Sequence, residues 1–213
     1  RRVAANWERP VGAAQLTVLA FHRRHDDDFV LRRGDPSFFR NVHAGRQSGA
    51  EASVRIPLLQ GASLVVGAQA VREALESTNL GDREEDRGAA FVEAGLDRGA
   101  LHLRGGLRVE GRDNFGAWVA PTLSAGWNAS RRVRLRGSLG RSYRTPTFTE
   151  RYYEDPANVD RADLDPEAAW TAEVGADLAV APGAVLRTTF YRRDSEGLVD
   201  WARSAGASDD VPW

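Results

Sequence analysis

The sequence predicts an all-β protein: an antiparallel up-and-down transmembrane β-barrel, present here as about nine strands. Three observations predict it. Side chains alternate apolar and polar with period two over most of the chain. The alternating segments are long, at roughly 9–14 residues, where globular strands run about 5–6 and a tilted membrane strand needs about 9–11. The connections alternate between short turns and longer polar loops, the layout of an outer-membrane barrel.

The alternation is clearest in three segments. In Leu101–Glu110, Leu101, Leu103, Leu107 and Val109 share one face, while His102, Arg104, Arg108 and Glu110 share the other. In Val133–Leu139, Val133, Leu135 and Leu139 oppose Arg134 and Arg136. In Trp170–Val180, Trp170, Val174, Leu178 and Val180 oppose Thr171, Glu173 and Asp177. Leu103, Leu107, Leu135, Leu139, Val174 and Leu178 are therefore expected to face lipid. Arg104, Arg108, Arg134, Arg136 and Glu173 are expected to face the lumen. Six further segments follow the pattern less sharply: 13–24, 41–56, 62–73, 89–97, 115–128 and 184–193, with a strand remnant at Val3–Glu8. No long stretch has a 3.6-residue period, so helix content should be low.

Short turns fall at 9–12, 57–61, 97–100, 129–132 and 181–183. Longer polar connections fall at 25–40, 77–88, 111–114, 143–167 and from Asp194 onward. Trp118, Trp127, Tyr143, Phe148, Tyr152, Tyr153, Trp170, Phe190, Tyr191 and Trp201 lie mostly near strand ends, as an interfacial girdle requires. The competing explanation is the general preference of aromatics for strands.

Composition narrows the function. The chain has 213 residues with 29 basic and 30 acidic side chains, so no global basic field points to nucleic acid. Without cysteine, neither a disulfide framework nor a thiolate metal site can form. No apolar run is long enough for a transmembrane helix, which leaves a barrel open because a barrel spends only alternate residues on lipid. The chain opens at Arg1-Arg-Val3 without a signal peptide, so a fragment or processed product is expected.

No nucleophile triad, phosphate-cradling glycine loop or paired-carboxylate signature stands out, so no enzyme, catalytic residue or cofactor is expected. His22 and His25 sit three apart and point to opposite faces of a strand, which argues against a zinc site. Asp26, Asp27 and Asp28 carry the oxygen ligands that Ca²⁺ prefers, with a solvated loop as the default reading. Arg104, Arg108, Arg134 and Arg136 make a basic wall that either attracts anionic ligands or packs against material filling the lumen.

The stretch Gly140-Arg-Ser-Tyr-Arg-Thr-Pro-Thr-Phe-Thr-Glu-Arg-Tyr-Tyr153, then Asp163-Leu-Asp-Pro-Glu167 and Trp170-Thr-Ala-Glu-Val-Gly175, resembles the C-terminal half of TonB-dependent outer-membrane receptors. There a Ser-Tyr/Phe-Arg/Lys-x-Pro-x-Phe-x-Glu-Leu-Tyr strand end is followed by Asn-Pro-x-Leu-x-Pro-Glu and a strand with x-Glu-x-Gly. Thr189–Asp200 is similar to the next strand of that family, and 25–51 to an earlier strand pair. Arg151 stands where Leu is usual, and Val159-Asp160 interrupts the Asn-Pro-x-Leu pattern.

The resemblance implies that residues 1–213 form part of a roughly 22-stranded barrel whose N-terminal plug domain is absent from the chain. It implies import of a scarce nutrient such as a ferric siderophore or cobalamin, and residence in the outer-membrane lipid. Coupling to the inner-membrane TonB complex would run through the missing N-terminal region. Ligand contacts would fall in the 143–167 loop, with Tyr143, Arg144, Arg151, Tyr152 and Tyr153 as candidates. Two other readings stay open: a small complete outer-membrane barrel with a structural or adhesive role, ending on the aromatic Trp213, and a soluble all-β binding module.

Overall fold

The computed structural model describes residues 1–58, 60–153 and 163–200. They form ten strands: β1 (Arg2–Val11), β2 (Ala14–Val30), β3 (Arg40–Pro57), β4 (Ala62–Ser77), β5 (Arg83–Arg98), β6 (Leu101–Arg112), β7 (Gly116–Trp127), β8 (Val133–Arg144), β9 (Glu167–Ala181) and β10 (Ala184–Glu196). A single turn of helix, α1 (Phe148–Tyr152), lies between β8 and β9. Every strand pairs antiparallel with its sequence neighbour, in the order β1 to β10. Trp201, Trp213 and the Val159-Asp160 interruption lie outside the described residues.

The expected remnant at Val3–Glu8 is a full strand, paired with β2 from Arg2↔Arg23 to Val11↔Ala14. The sheet therefore has ten strands rather than nine. Several strands also run further than their apolar alternation does. β2 continues through His25-Asp-Asp-Asp28 to Val30, and β5 begins at Arg83, both in segments expected to be loop. Charged cross-strand neighbours carry these extensions. Arg40 holds Asp28 bidentately at 2.8 and 2.7 Å, Arg46 holds Glu76, and Arg72 holds Asp86 at 2.8 Å through both nitrogens. With 17 and 18 residues, β2 and β3 exceed by about six residues what a tilted strand needs to cross a bilayer.

Register sorts the side chains into two faces. One ladder row runs Val18↔Ala52↔Ala68↔Ala90↔Val109↔Val119, and parallel rows add Leu107↔Pro121, Leu123↔Leu139 and Gly137↔Val174. The five leucines and one valine expected to face lipid all lie on this apolar face. The opposite face carries Glu51↔Gln69, Phe91↔Arg108, Arg104↔Ser124 and Ser138↔Glu173.

The polar face is the concave one. Strands two apart are separated by about 9.6 Å, twice the interstrand spacing, a gap that side chains bridge most readily on the inside of a curve. On this face Arg108 of β6 reaches over β5 to Gln69 of β4 at 2.8 Å, and Arg136 of β8 reaches over β9 to Thr189 of β10 at 2.5 Å. Glycines opposite the long side chains make room for them. A Cβ on Gly67 would sit 2.3 Å from the Phe91 ring, and one on Gly175 would sit 2.8 Å from the Arg136 guanidinium carbon.

Turns at one end are short, with two residues each at Gly12-Ala13, Gly99-Ala100 and Pro182-Gly183. The connections 31–39, 78–82 and 145–166 lie at the other end, but the connection expected at 111–114 is a three-residue turn, 113–115, because β6 and β7 stay paired as far as Arg112↔Gly116. β1 and β10 are the sheet edges, and both are exposed along their whole length.

Candidate functional site: the concave polar face

At the long-loop end, the β8–β9 connection folds onto the concave face. Thr147 caps α1 through a capping box: its hydroxyl accepts from the Glu150 N–H at 3.2 Å, and its own N–H donates to Glu150 Oε2 at 2.7 Å. Arg144 braces the same turn, holding Glu150 at 2.9 Å and Glu167 at 2.8 and 2.5 Å. Burial pushes the Glu150 carboxyl up. The Thr147 N–H, the Arg144 guanidinium and the Thr147 hydroxyl outweigh that and hold it below its ordinary value. Pro146 is fully buried beneath this turn.

The turn delivers Arg151 into the sheet. Its guanidinium pairs with Glu85 of β5, and both side chains are buried, at 3% and 2% exposure. Glu85 also accepts from Arg112 Nε at 2.6 Å, and Arg112 donates to Thr145 at 2.7 Å. The second arm of Arg151 meets the Tyr152 hydroxyl. The Arg83 guanidinium stacks 3.9 Å above the Tyr152 ring, and the Phe115 ring lies 4.8 Å from the Arg151 guanidinium.

The five loop residues singled out from sequence do not form one cluster. Arg151 and Tyr152 sit in this buried network. Arg144 serves the turn. The Tyr143 ring lies 5.8 Å from that of Trp118 and tilted 40° to it, with the Arg141 guanidinium 4.8 Å from the Tyr143 ring centre. There the β7–β8 ladder has stopped at Thr122↔Gly140, because Pro121, next in line, has no N–H to donate. Tyr153 closes α1, its N–H bonded to Thr149 O at 3.0 Å.

Four of the five residues expected on the lumen face do come together. Arg104, Arg134, Arg136 and Glu173 line one recess of about 400 Å³ toward the short-turn end, with Ser124 and Ser138. Within it Arg104 holds Asp97 at 2.6 Å, His102 shares that carboxylate at 2.7 Å, and Arg136 pairs with Asp177. Arg108 shares the face but lies higher, bound to Glu110 at 2.6 Å.

Sequence reasoning missed Glu85, Arg112 and Phe115, as well as Arg23 and Gln47 on the same face. Extending the period of β2 through its charged segment would have put Arg23 and His25 on the Gln47 face, the only available signal. His22 and His25 do point to opposite faces, across from Ser48 and Gly45. Asp26 and Asp28 share a face and are each taken by an arginine, while Asp27 points the other way. Among the described residues no group of three or more His, Asp or Glu side chains could hold a metal ion.

Comparison with known proteins is consistent across sequence and structure. Residues 62–211 match the family model described as TonB dependent receptor-like, beta-barrel. A curated relative, the vitamin B12 transporter BtuB of Vibrio vulnificus, is 28% identical over 126 residues, covering 59% of this chain and 20% of that protein. The siderophore receptor PirA of Pseudomonas aeruginosa superposes with a TM-score of 0.77 at 19% identity, covering 91% of this chain and 38% of that one. A variant of the ferric enterobactin receptor PfeA of the same organism gives a TM-score of 0.80 at 17% identity, covering 98% and 37%. The chain thus spans well under half the length of each of these relatives.

Proposed function

Because the chain belongs to the TonB dependent receptor-like β-barrel family, we propose that it is part of the barrel wall of an outer-membrane uptake receptor, driven through TonB. The cargo is a scarce nutrient of the ferric-siderophore or cobalamin type, the ligands named for its relatives. Members of this family are receptors and transporters rather than enzymes.

One observation carries the reading: a single curved sheet of long strands has an apolar convex face and a charged concave face. In a bilayer that sheet turns Leu103, Leu107, Leu135, Leu139, Val174 and Leu178 to lipid. It turns Arg104, Arg108, Arg134, Arg136 and Glu173 to the lumen. The exposed edges of β1 and β10 cannot meet hydrocarbon with unpaired backbone, so further strands complete the wall. This favours a large receptor over a small closed barrel or a soluble module. The long-loop end is the outer mouth. There Tyr143, Arg144, Tyr152 and Tyr153 are the candidate ligand contacts of the β8–β9 loop, and Arg151 anchors that loop.

The test is uptake. Deleting the encoding gene should abolish accumulation of one labelled ferric siderophore or of cobalamin, as should deleting tonB, and the gene in trans should restore it. Unchanged uptake of every ligand in such a panel would sink the proposal.

A further inference from the structure

The convex face carries one arginine that the sheet leaves without a counter-charge. Toward the long loops the apolar band gives way to a collar of arginines and carboxylates. On β2 to β5 and on β10 each arginine of this collar is paired. Arg24 meets Asp26, Arg40 meets Asp28, Arg46 meets Glu76, Arg72 meets Glu84 and Asp86, and Arg192 meets Asp194. On β8 the same face runs Val133, Leu135, Gly137, Leu139 and then Arg141. No carboxylate reaches Arg141 among the described residues. Asp194, across Trp170 on the same row, is already held by Arg192 at 2.9 Å.

Two rings hold the Arg141 guanidinium instead. It lies 4.8 Å from the Tyr143 ring centre and 5.9 Å from that of Trp170. Tyr143 is two residues nearer the long loops, so the side chain turns outward from its own Cα, as a snorkelling cation does. Its Nε is buried and has no hydrogen-bond partner. The rest of a receptor does not supply the missing anion at this place. Further strands extend the wall from the edges at β1 and β10, and β8 lies two strands in from the nearer edge. Material filling the lumen meets the concave face. What meets the convex face of a barrel wall is the membrane.

We infer that Arg141 and Trp170 form a seat, on the outside of the barrel wall, for the phosphate of an outer-leaflet lipid. A cation on a lipid-facing wall is costly until it meets an anion, and a lipid phosphate provides one where the protein does not. The guanidinium presents a planar fork that matches two phosphate oxygens. Trp170 is the amphipathic ring that settles at headgroup depth beside it. Tyr143 positions the guanidinium. The inference rests on the barrel-wall reading above and goes beyond it, because the seat lies outside the cargo path.

The experiment uses the intact receptor carrying this chain, purified in detergent. Native mass spectrometry counts lipid adducts as diphosphoryl lipid A or a phosphate-free glycolipid is titrated in. The wild-type receptor should retain the phosphorylated lipid in preference to the other. Arg141→Gln should weaken that adduct about tenfold, as loss of a charge-assisted hydrogen bond predicts. Trp170→Leu keeps the face apolar and should weaken it about threefold. Arg46→Gln, on the same face but paired with Glu76, is the control and should leave the adduct unchanged. Heat-modifiable gel migration reports folding, and Trp170→Leu carries the comparison should Arg141→Gln fail to fold. Variants within about twofold of wild type overturn the seat while the barrel wall stands. Displacement of the adduct by equimolar inorganic phosphate also overturns it, since the site would then take the free ion. A receptor that is folded and monomeric without detergent overturns the barrel-wall reading, and the seat with it.

Discussion

Arg151 and Glu85 lie 66 positions apart in sequence, yet their side chains form a buried ion pair that fastens the β8–β9 loop to β5. In the TonB-dependent pattern Leu is usual at the position Arg151 occupies. The chain thus carries a charge that is viable only because Glu85 and Arg112 meet it inside the concave face.

Removing one partner of a buried pair leaves the other uncompensated. Arg151→Ala or Glu85→Ala should each cost about 3–5 kcal/mol of local stability. The double variant Arg151→Met/Glu85→Gln should be milder than either. Limited proteolysis of the intact receptor within residues 145–166 measures this. Single variants as resistant as wild type would contradict the anchoring role.

Glu150 gives that loop a pH dependence. Its folded-state carboxyl titrates below the ordinary Glu value of 4.5. A depressed carboxylate contributes stability that is complete above the unfolded value and lost as pH falls through the folded one. The protection of residues 147–153 against hydrogen exchange, corrected for the intrinsic pH dependence of the amide rate, should therefore stay constant at pH above 4.5 and fall below it. The Glu150→Gln variant should lose most of that dependence.

The apolar face makes a depth-dependent prediction. Leu139→Arg, in mid-strand opposite Leu123, should destabilise the receptor by about 2–4 kcal/mol, whereas Leu135→Arg, opposite Trp127 at the strand end, should cost about 1 kcal/mol or less. Ser138→Arg, on the polar face, should cost far less than Leu139→Arg. Urea unfolding in lipid vesicles followed by heat-modifiable gel migration separates them, and equal costs would argue against the lipid assignment.

Gly61 tests the short-turn end. It adopts φ +76°, and a Cβ there would fall 1.9 Å from the Asp97 carbonyl oxygen. The Asp97 N–H also donates to the Gly61 carbonyl at 2.7 Å. Gly61→Ala should cost more than about 1 kcal/mol because the strained backbone and the clash add. Gly183→Ala has a similar φ but open space around it, so it should show the backbone cost alone.

Period-two alternation was enough to specify the sheet, its antiparallel order, its apolar face and the side on which the turns are short. Each of these depends on residues a few positions apart, as with Leu135 and Leu139 against Arg134 and Arg136. Strand ends were harder to see. Where β2 and β5 run through Asp26–Asp28 and Arg83–Asp86, charged cross-strand pairs replace the apolar signal. The recess uniting Arg104, Arg134, Arg136 and Glu173 was half visible, because parity gives the face but not the distance between strands. The Arg151–Glu85 pair had no local signal. It arises where a capped turn folds over a curved sheet and meets side chains many tens of residues away. Curvature and register, which are properties of the assembled strands, decide which of those side chains converge.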